Sequence, residues 1–244
     1  MKYFFDACAG IGGFALSAYW AGLRFDEHYF SEIDDYAIQI YKKRFPEAIY
    51  IGDIKNVDYR KLPRGDYLVT SGFPCQPNSI AGKRQGSKDE RDLWNECSRM
   101  LCELRPTIAL FENVPGIFTA EHGEYFNRVL SDISQAGYGC EWDIISAAEV
   151  GAPHLRERIW IVAYADTKLN TGRSISRKRK KGKQELQGLL HADFRLEISE
   201  CEIYGENNGL PRKMDRIRCL GNAIVPQVCE TIFRLSAFDL WREE

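Results

Sequence analysis

The sequence has no apolar run near the ~18 residues that a membrane-spanning helix needs, and its eight cysteines and four histidines form no Cys-x-x-Cys pair and no mixed cluster. The first absence argues against an integral membrane protein. The second excludes a zinc ribbon and a disulfide framework, so no metal site is expected. No secretory leader is expected either, because Met1-Lys-Tyr-Phe-Phe-Asp6 meets charge at once. A reducing, cytoplasmic setting is the expectation. Net charge is scarce: 33 Lys and Arg against 35 Asp and Glu leave −2 at pH 7. No global field draws the chain to a polyanion, and any such binding must rest on a local patch. There is no internal repeat.

What is present is a chain of 244 residues, 44% hydrophobic, long enough to bury a substantial core. Short apolar runs near 2–8, 27–33, 48–51, 66–71, 107–113, 139–147 and 157–164 read as strands. Between them, 13–23, 35–45, 92–105 and 118–136 carry apolar residues at helical spacing. This alternation predicts an α/β fold, a doubly wound, mostly parallel, Rossmann-like sheet. Composition changes near residue 165, and regularity returns near 216, where Ile224 to Trp241 reads as a closing helix with Pro226 in its first turn. The expected organisation is a catalytic and cofactor-binding domain over 1–165, completed by 216–244, with a short insert over 166–215.

Strand ends in such a sheet collect ligands and chemistry. The first is followed by Cys8-Ala9-Gly10-Ile11-Gly12-Gly13, closely spaced glycines that let a backbone approach a ligand or, equally, pack a strand against a helix. The second ends at Glu32-Ile33, where an acid can hold ribose hydroxyls or serve only as a helix N-terminal charge. The third ends at Asp53-Ile54, a carboxylate for an exocyclic amine and an apolar wall. A dinucleotide or an adenosine-containing cofactor fits these features. The fourth strand runs into Pro74-Cys75-Gln76 and the fifth into Glu112-Asn113. A thiolate can add to an electron-poor ring while a carboxyl group hydrogen-bonds the ring nitrogen that receives the displaced charge. Arg156 and Arg158 stand three and five residues past Pro153, and on an extended segment they share a face.

Taken in order, Gly10-Ile-Gly-Gly13, Glu32, Asp53, Gly72-Phe-Pro-Cys75-Gln76, Glu112-Asn113-Val114, Gly151-Ala-Pro153 with Arg156-Glu-Arg158, and Gly221-Asn222-Ala-Ile-Val-Pro226 resemble the cytosine-carbon-5 DNA methyltransferases. The resemblance spans about residues 1–165 and 210–240. It implies S-adenosylmethionine as cofactor and methyl donor, and a flipped-out cytosine in double-stranded DNA as acceptor. It further implies Cys75 as nucleophile, Glu112 on ring nitrogen 3, Asn113 orienting the cysteine segment, and Arg158 at the active site with Arg156 beside it. The cofactor pocket it implies comprises Cys8 to Gly13, Glu32, Ile33, Asp53, Ile54, Pro74, Leu93, Asn222 and Ile224. Gln76 and Ser79 would meet the DNA backbone. A cytoplasmic monomer is expected, with a cognate restriction endonuclease as an optional partner.

The chain also departs from the family pattern. Cys8 stands where the family has a phenylalanine that packs on the adenine, and His154 and Asn78 stand where glutamine and phenylalanine are usual. The insert is short for a region that must read bases. Arg173 to Lys183 holds seven basic residues in eleven, so Arg177, Lys178, Arg179 and Lys180 could lie along phosphates or form a solvated loop. An RNA-directed cytosine methyltransferase, a catalytically silent DNA-binding protein and a nicotinamide dehydrogenase are the alternatives. The last leaves the Cys75 and Glu112 segments unexplained.

Overall fold

The computed structural model describes residues 1–74, 92–165 and 213–242. Seven strands form one sheet: β1 (Lys2–Ala7), β2 (Glu27–Ser31), β3 (Ile49–Tyr50), β4 (Asp66–Ser71), β5 (Ile108–Asn113), β6 (Tyr138–Ser146) and β7 (Glu157–Ala165), in the order β3-β2-β1-β4-β5-β7-β6. The pairs among β1 to β5 are parallel, whereas β7 is antiparallel to both β5 and β6.

Alternation along the strands sorts side chains into two cores. Phe5, Val69, Phe111 and Ile161 face α3 (Trp94–Leu104) and α4 (Glu124–Gln135). Phe4, Leu68, Leu110 and Trp160 face α1 (Gly13–Trp20) and α6 (Pro226–Phe233), with Tyr41 of α2 (Asp35–Arg44) in the same cluster. Helices thus cover both faces, which is why β4 and β5 can be apolar at consecutive positions. A further helix, α5 (Lys213–Asn222), leads into α6. Among the described residues, no helix is long and apolar enough to cross a membrane.

Three expected elements differ, each for a local reason. The first helix ends at Trp20 rather than residue 23, because Gly22 adopts φ 77 just beyond the cap. The helix expected from 118 begins at Glu124. Glu121, His122 and Gly123 all take left-handed φ values, which a right-handed helix cannot contain. The closing helix stops at Phe233 and resumes as a 3₁₀ turn over Ser236–Trp241. An unbroken helix would rotate Phe238 about 140° away from Phe233. The break lets Phe233, Phe238 and Trp241 all be fully buried.

Candidate active site

Strand order reverses between β1 and β4, so the chain leaves these neighbours toward opposite faces and a crevice opens at their carboxyl ends. After β1 the backbone turns through left-handed φ at Cys8 (55°), Gly10 (53°) and Gly12 (86°). A Cβ at Gly10 would meet nothing within 4 Å, whereas one at Gly12 would lie 2.6 Å from the Phe45 ring and one at Gly13 would lie 2.6 Å from Ile224 Cγ1. Gly10 therefore faces open space, while Gly12 and Gly13 are there for close packing. The loop is tied to the next strand end: Ala9 N donates to Ser31 O (3.0 Å) and Gly10 N to Glu32 Oε2 (2.7 Å). The other Glu32 oxygen accepts from Ile33 N and Asp34 N. Ser31 Oγ donates to Gly52 O (2.7 Å), bringing in the third strand end, where Asp53 accepts from Lys55 N (2.9 Å). Gly10, Glu32 and Gly52 thus form one hydrogen-bonded rim.

Beneath the loop lies a buried polar chain. Thr70 Oγ1 and Tyr41 OH donate to the two oxygens of Asp6 at 2.8 and 3.0 Å, and His28 Nε2 lies 2.7 Å from Tyr41 OH. Burial pushes the Asp6 carboxyl up to about 8, against the two hydroxyl donors, and pushes His28 down to about 4.

On the other side of β4, Glu112 is the last residue but one of β5 and is buried. Because β7 runs the opposite way, its first residues reach the carboxyl end of β5, and Glu112 pairs with Trp160. Arg158 Nε lies 2.9 Å from Glu112 Oε1. A Cβ on Gly72 would stand 3.5 Å from Glu112 Oε2, so the segment leaving β4 passes directly beside this carboxyl. Burial pushes Glu112 up to about 7, with Arg158 and Arg156 pulling it down. Asn113 Nδ2 donates to Phe73 O (3.1 Å) and its Oδ1 accepts from Val114 N (2.8 Å), fixing the chain two residues before Cys75. A buried acid that is half protonated near neutrality, held by an arginine at a crevice, suits proton donation to a polar ring.

The model of the family described as C-5 cytosine-specific DNA methylase matches residues 3–203. The chain belongs to that family. It is 32% identical over 205 residues to the orphan methyltransferase M.Rho11sI of Bacillus phage rho11s, covering 81% of this chain and 41% of that protein. It is 35% identical over 214 residues to the type II methyltransferase M.BanI of Aneurinibacillus aneurinilyticus, covering 82% and 49%. The chain thus spans about half the length of such relatives or less. The S. pombe Dnmt2 methyltransferase structure shares the fold, with TM-score 0.54 and 21% identity over 73% of this chain and 55% of that one.

Several residues expected in this methylase fold's site are brought together: Gly10, Glu32 and Asp53 on the rim, and Glu112, Asn113 and Arg158 beside Gly72. Pro74 and Leu93 are half-buried, and Ile33 is 71% exposed. Ile54 is 2% exposed and packs in the apolar core behind Asp53. Ile224 is buried against Gly13, while Asn222 is exposed. The two arginines do not share an extended face, because Arg156 takes φ 31. Cys75, Gln76, Ser79, Arg177, Lys178, Arg179 and Lys180 lie outside the described residues. The thiol of Cys8 is pushed well up by burial, against a hydrogen bond with Ser71.

Residue-by-residue reading missed Asp92, which accepts from Trp94 N (3.0 Å), Tyr125 OH (2.6 Å) and Arg128 Nη2 (3.0 Å). It anchors the start of α3 to α4, and its only sequence signal is an acid at a helix N-terminus. Arg99 was missed likewise. It donates to Ile54 O and Val57 O at 2.9 Å and so seats the loop beyond Asp53.

The buried acids give a testable pH dependence. Glu112 and Asp6 bind protons more tightly folded than unfolded, where their ordinary values are 4.5 and 3.8. Their stabilisation is full below those values and is lost as pH rises through about 7 and about 8. His28 acts oppositely, but only below its ordinary 6.5. Urea denaturation should find the protein roughly 2 kcal/mol less stable at pH 8 than at pH 6.5. Equal stability at the two values would show that these acids are not held protonated.

Proposed function

We propose that the protein is a DNA (cytosine-5-)-methyltransferase of the prokaryotic or phage modification type, acting on a cytosine flipped out of duplex DNA. The carrying observation is Glu112, buried, paired with Arg158 and next to Gly72, three residues before Cys75. In this reading Cys75 sulfur adds to carbon 6 while Glu112 hydrogen-bonds ring nitrogen 3, so electron density collects at carbon 5. Bound S-adenosylmethionine supplies an electrophilic methyl group to that carbon. Loss of the carbon-5 proton then restores the ring double bond and releases the cysteine.

The open space before Gly10, the Glu32 carboxylate and Asp53 suit the adenosine part of that donor: backbone amides near the loop, one acid for ribose hydroxyls and another for the exocyclic amine. Arg158 holds the acid in place and stabilises it when ionised. Extruding the base costs a few kcal/mol, returned by contacts in the pocket.

The test is to incubate the purified chain with methyl-labelled donor and, in parallel, unmethylated genomic DNA or tRNA, and to sequence the DNA after bisulfite treatment. Label in DNA with protected cytosines in a recurring context is expected. Label confined to tRNA would favour the RNA-directed reading, and donor binding without transfer to either would favour a silent binding protein. Sequence context would also show which bases the 166–215 segment reads.

A further inference from the structure

The loop joining the 3₁₀ turn Ala147–Val150, which follows β6, to β7 holds a residue in a costly conformation. Arg156 is not a glycine, yet its φ is 31. Such backbone strain persists only where surrounding contacts determine it. Those contacts are with the returning chain: Arg156 Nη2 donates to Gly221 O (3.1 Å) and Ala223 O (2.6 Å), more than sixty positions away in sequence. The guanidinium is half-buried, and burial, with Arg158 beside it, pulls its pKa below the ordinary value. A cation is therefore held at an unfavourable position for the sake of two carbonyls at the end of α5.

The next residue after Ala223 shows what this accomplishes. Ile224 is buried, packs where a side chain on Gly13 would stand, and lies 4.0 Å from the Cβ position of Gly72. It is the wedge between the glycine loop after β1 and the segment after β4. One turn before Gly221, α5 is tied to the second strand end, Arg218 Nη2 lying 2.5 Å from Asp34 Oδ2, two residues past Glu32. That pair is half-exposed and contributes little by itself. The Arg156 bond to Ala223 O, by contrast, is partly buried.

We propose that Arg156 is a positioning residue for the cofactor pocket. It acts through Gly221 to Ile224 to set the glycine loop, and the target base is left to Arg158 and Glu112. This rests on the methyl-donor reading above. It also divides the Arg156-Glu-Arg158 segment into two jobs: one arginine steadies the acid and the other closes the donor wall.

Calorimetric titration of the full chain with S-adenosylhomocysteine tests the assignment, with steady-state kinetics alongside. Arg156→Ala should weaken binding about tenfold, the loss expected for a charged hydrogen bond. Arg156→Lys should be intermediate, and it keeps the test available if the alanine variant does not fold. KM for the donor should rise in proportion while kcat at saturating donor falls less than about threefold. Adding Arg156→Ala to Ile224→Ala should cost less than about twofold more, because both act through one contact. Amide exchange in 219–225 should quicken in Arg156→Ala while exchange in 108–113 stays unchanged. Unaltered affinity together with a raised KM for DNA or a large fall in kcat would place Arg156 on the base and overturn the proposal. If the unaltered chain binds no S-adenosylhomocysteine, the donor reading itself fails. Exchange then decides the clamp alone: unchanged rates in 219–225 would overturn it.

Discussion

Protein carrying Cys75→Ser should form no covalent complex with a duplex containing 5-fluorocytosine and S-adenosylmethionine, under conditions that trap the unaltered chain. A fluorine at carbon 5 cannot leave as a proton does, so an adduct formed by the thiol persists and migrates with the protein on a denaturing gel. A free thiol of pKa about 8.5 is a few per cent ionised at neutrality, whereas a serine hydroxyl is essentially un-ionised and a poorer nucleophile toward carbon 6. Methyl transfer should fall on the order of 10⁴-fold or more in the same variant. Equal trapping of the serine protein would remove Cys75 from the mechanism. The fixed Phe73 carbonyl, held by Asn113, makes folding of the variant straightforward, since the substitution changes neither anchor.

Glu112→Gln is the second large effect. The acid is pushed up to about 7 by burial, so near neutrality it exists as both carboxylic acid and carboxylate. The proposed reaction needs its protonated form toward the ring nitrogen and the ionised form of the cysteine. With a thiol near its ordinary ~8.5, kcat/KM for DNA should pass through a maximum between about 7 and ~8.5 and fall on both sides. These are properties of the pair and not of either group alone. Glutamine keeps a neutral donor at every pH but has no proton to give. The variant should lose about 10²-fold or more in kcat/KM, and its profile should rise with pH to a plateau with no descending limb. A bell of unchanged shape in the glutamine protein would mean that another group supplies the proton.

The candidate site is legible in the sequence where its parts are local. A strand end, a glycine pair and an acid at the next strand end are short-range patterns, and the parallel pairing of β1 to β5 follows from the alternation of apolar runs with helical spacing. The antiparallel insertion of β7 between β5 and β6 was not legible, since both strands read as equally apolar runs. The different fates of Arg156 and Arg158 also escaped sequence reasoning. Period-two alternation assumes an extended backbone, and a single left-handed residue cancels it. The burial of Ile54 was not legible either: how deep an apolar residue beside a ligand-type acid sits is decided by packing.

The reversed strand has a consequence for how the molecule can vary. β7 is zipped to β5 on one side and β6 on the other through Ala165, so the acid and its arginine are both secured within 108–165. The donor wall is different, because Ile224 must come back across the molecule to reach Gly13. The acid–arginine pair and the Ile224 contact on Gly13 are thus supplied by separate stretches of the sequence. Under the proposed methyltransferase reading, exchanging the stretch between them should alter the methylated sequence context and leave the acid–arginine couple untouched.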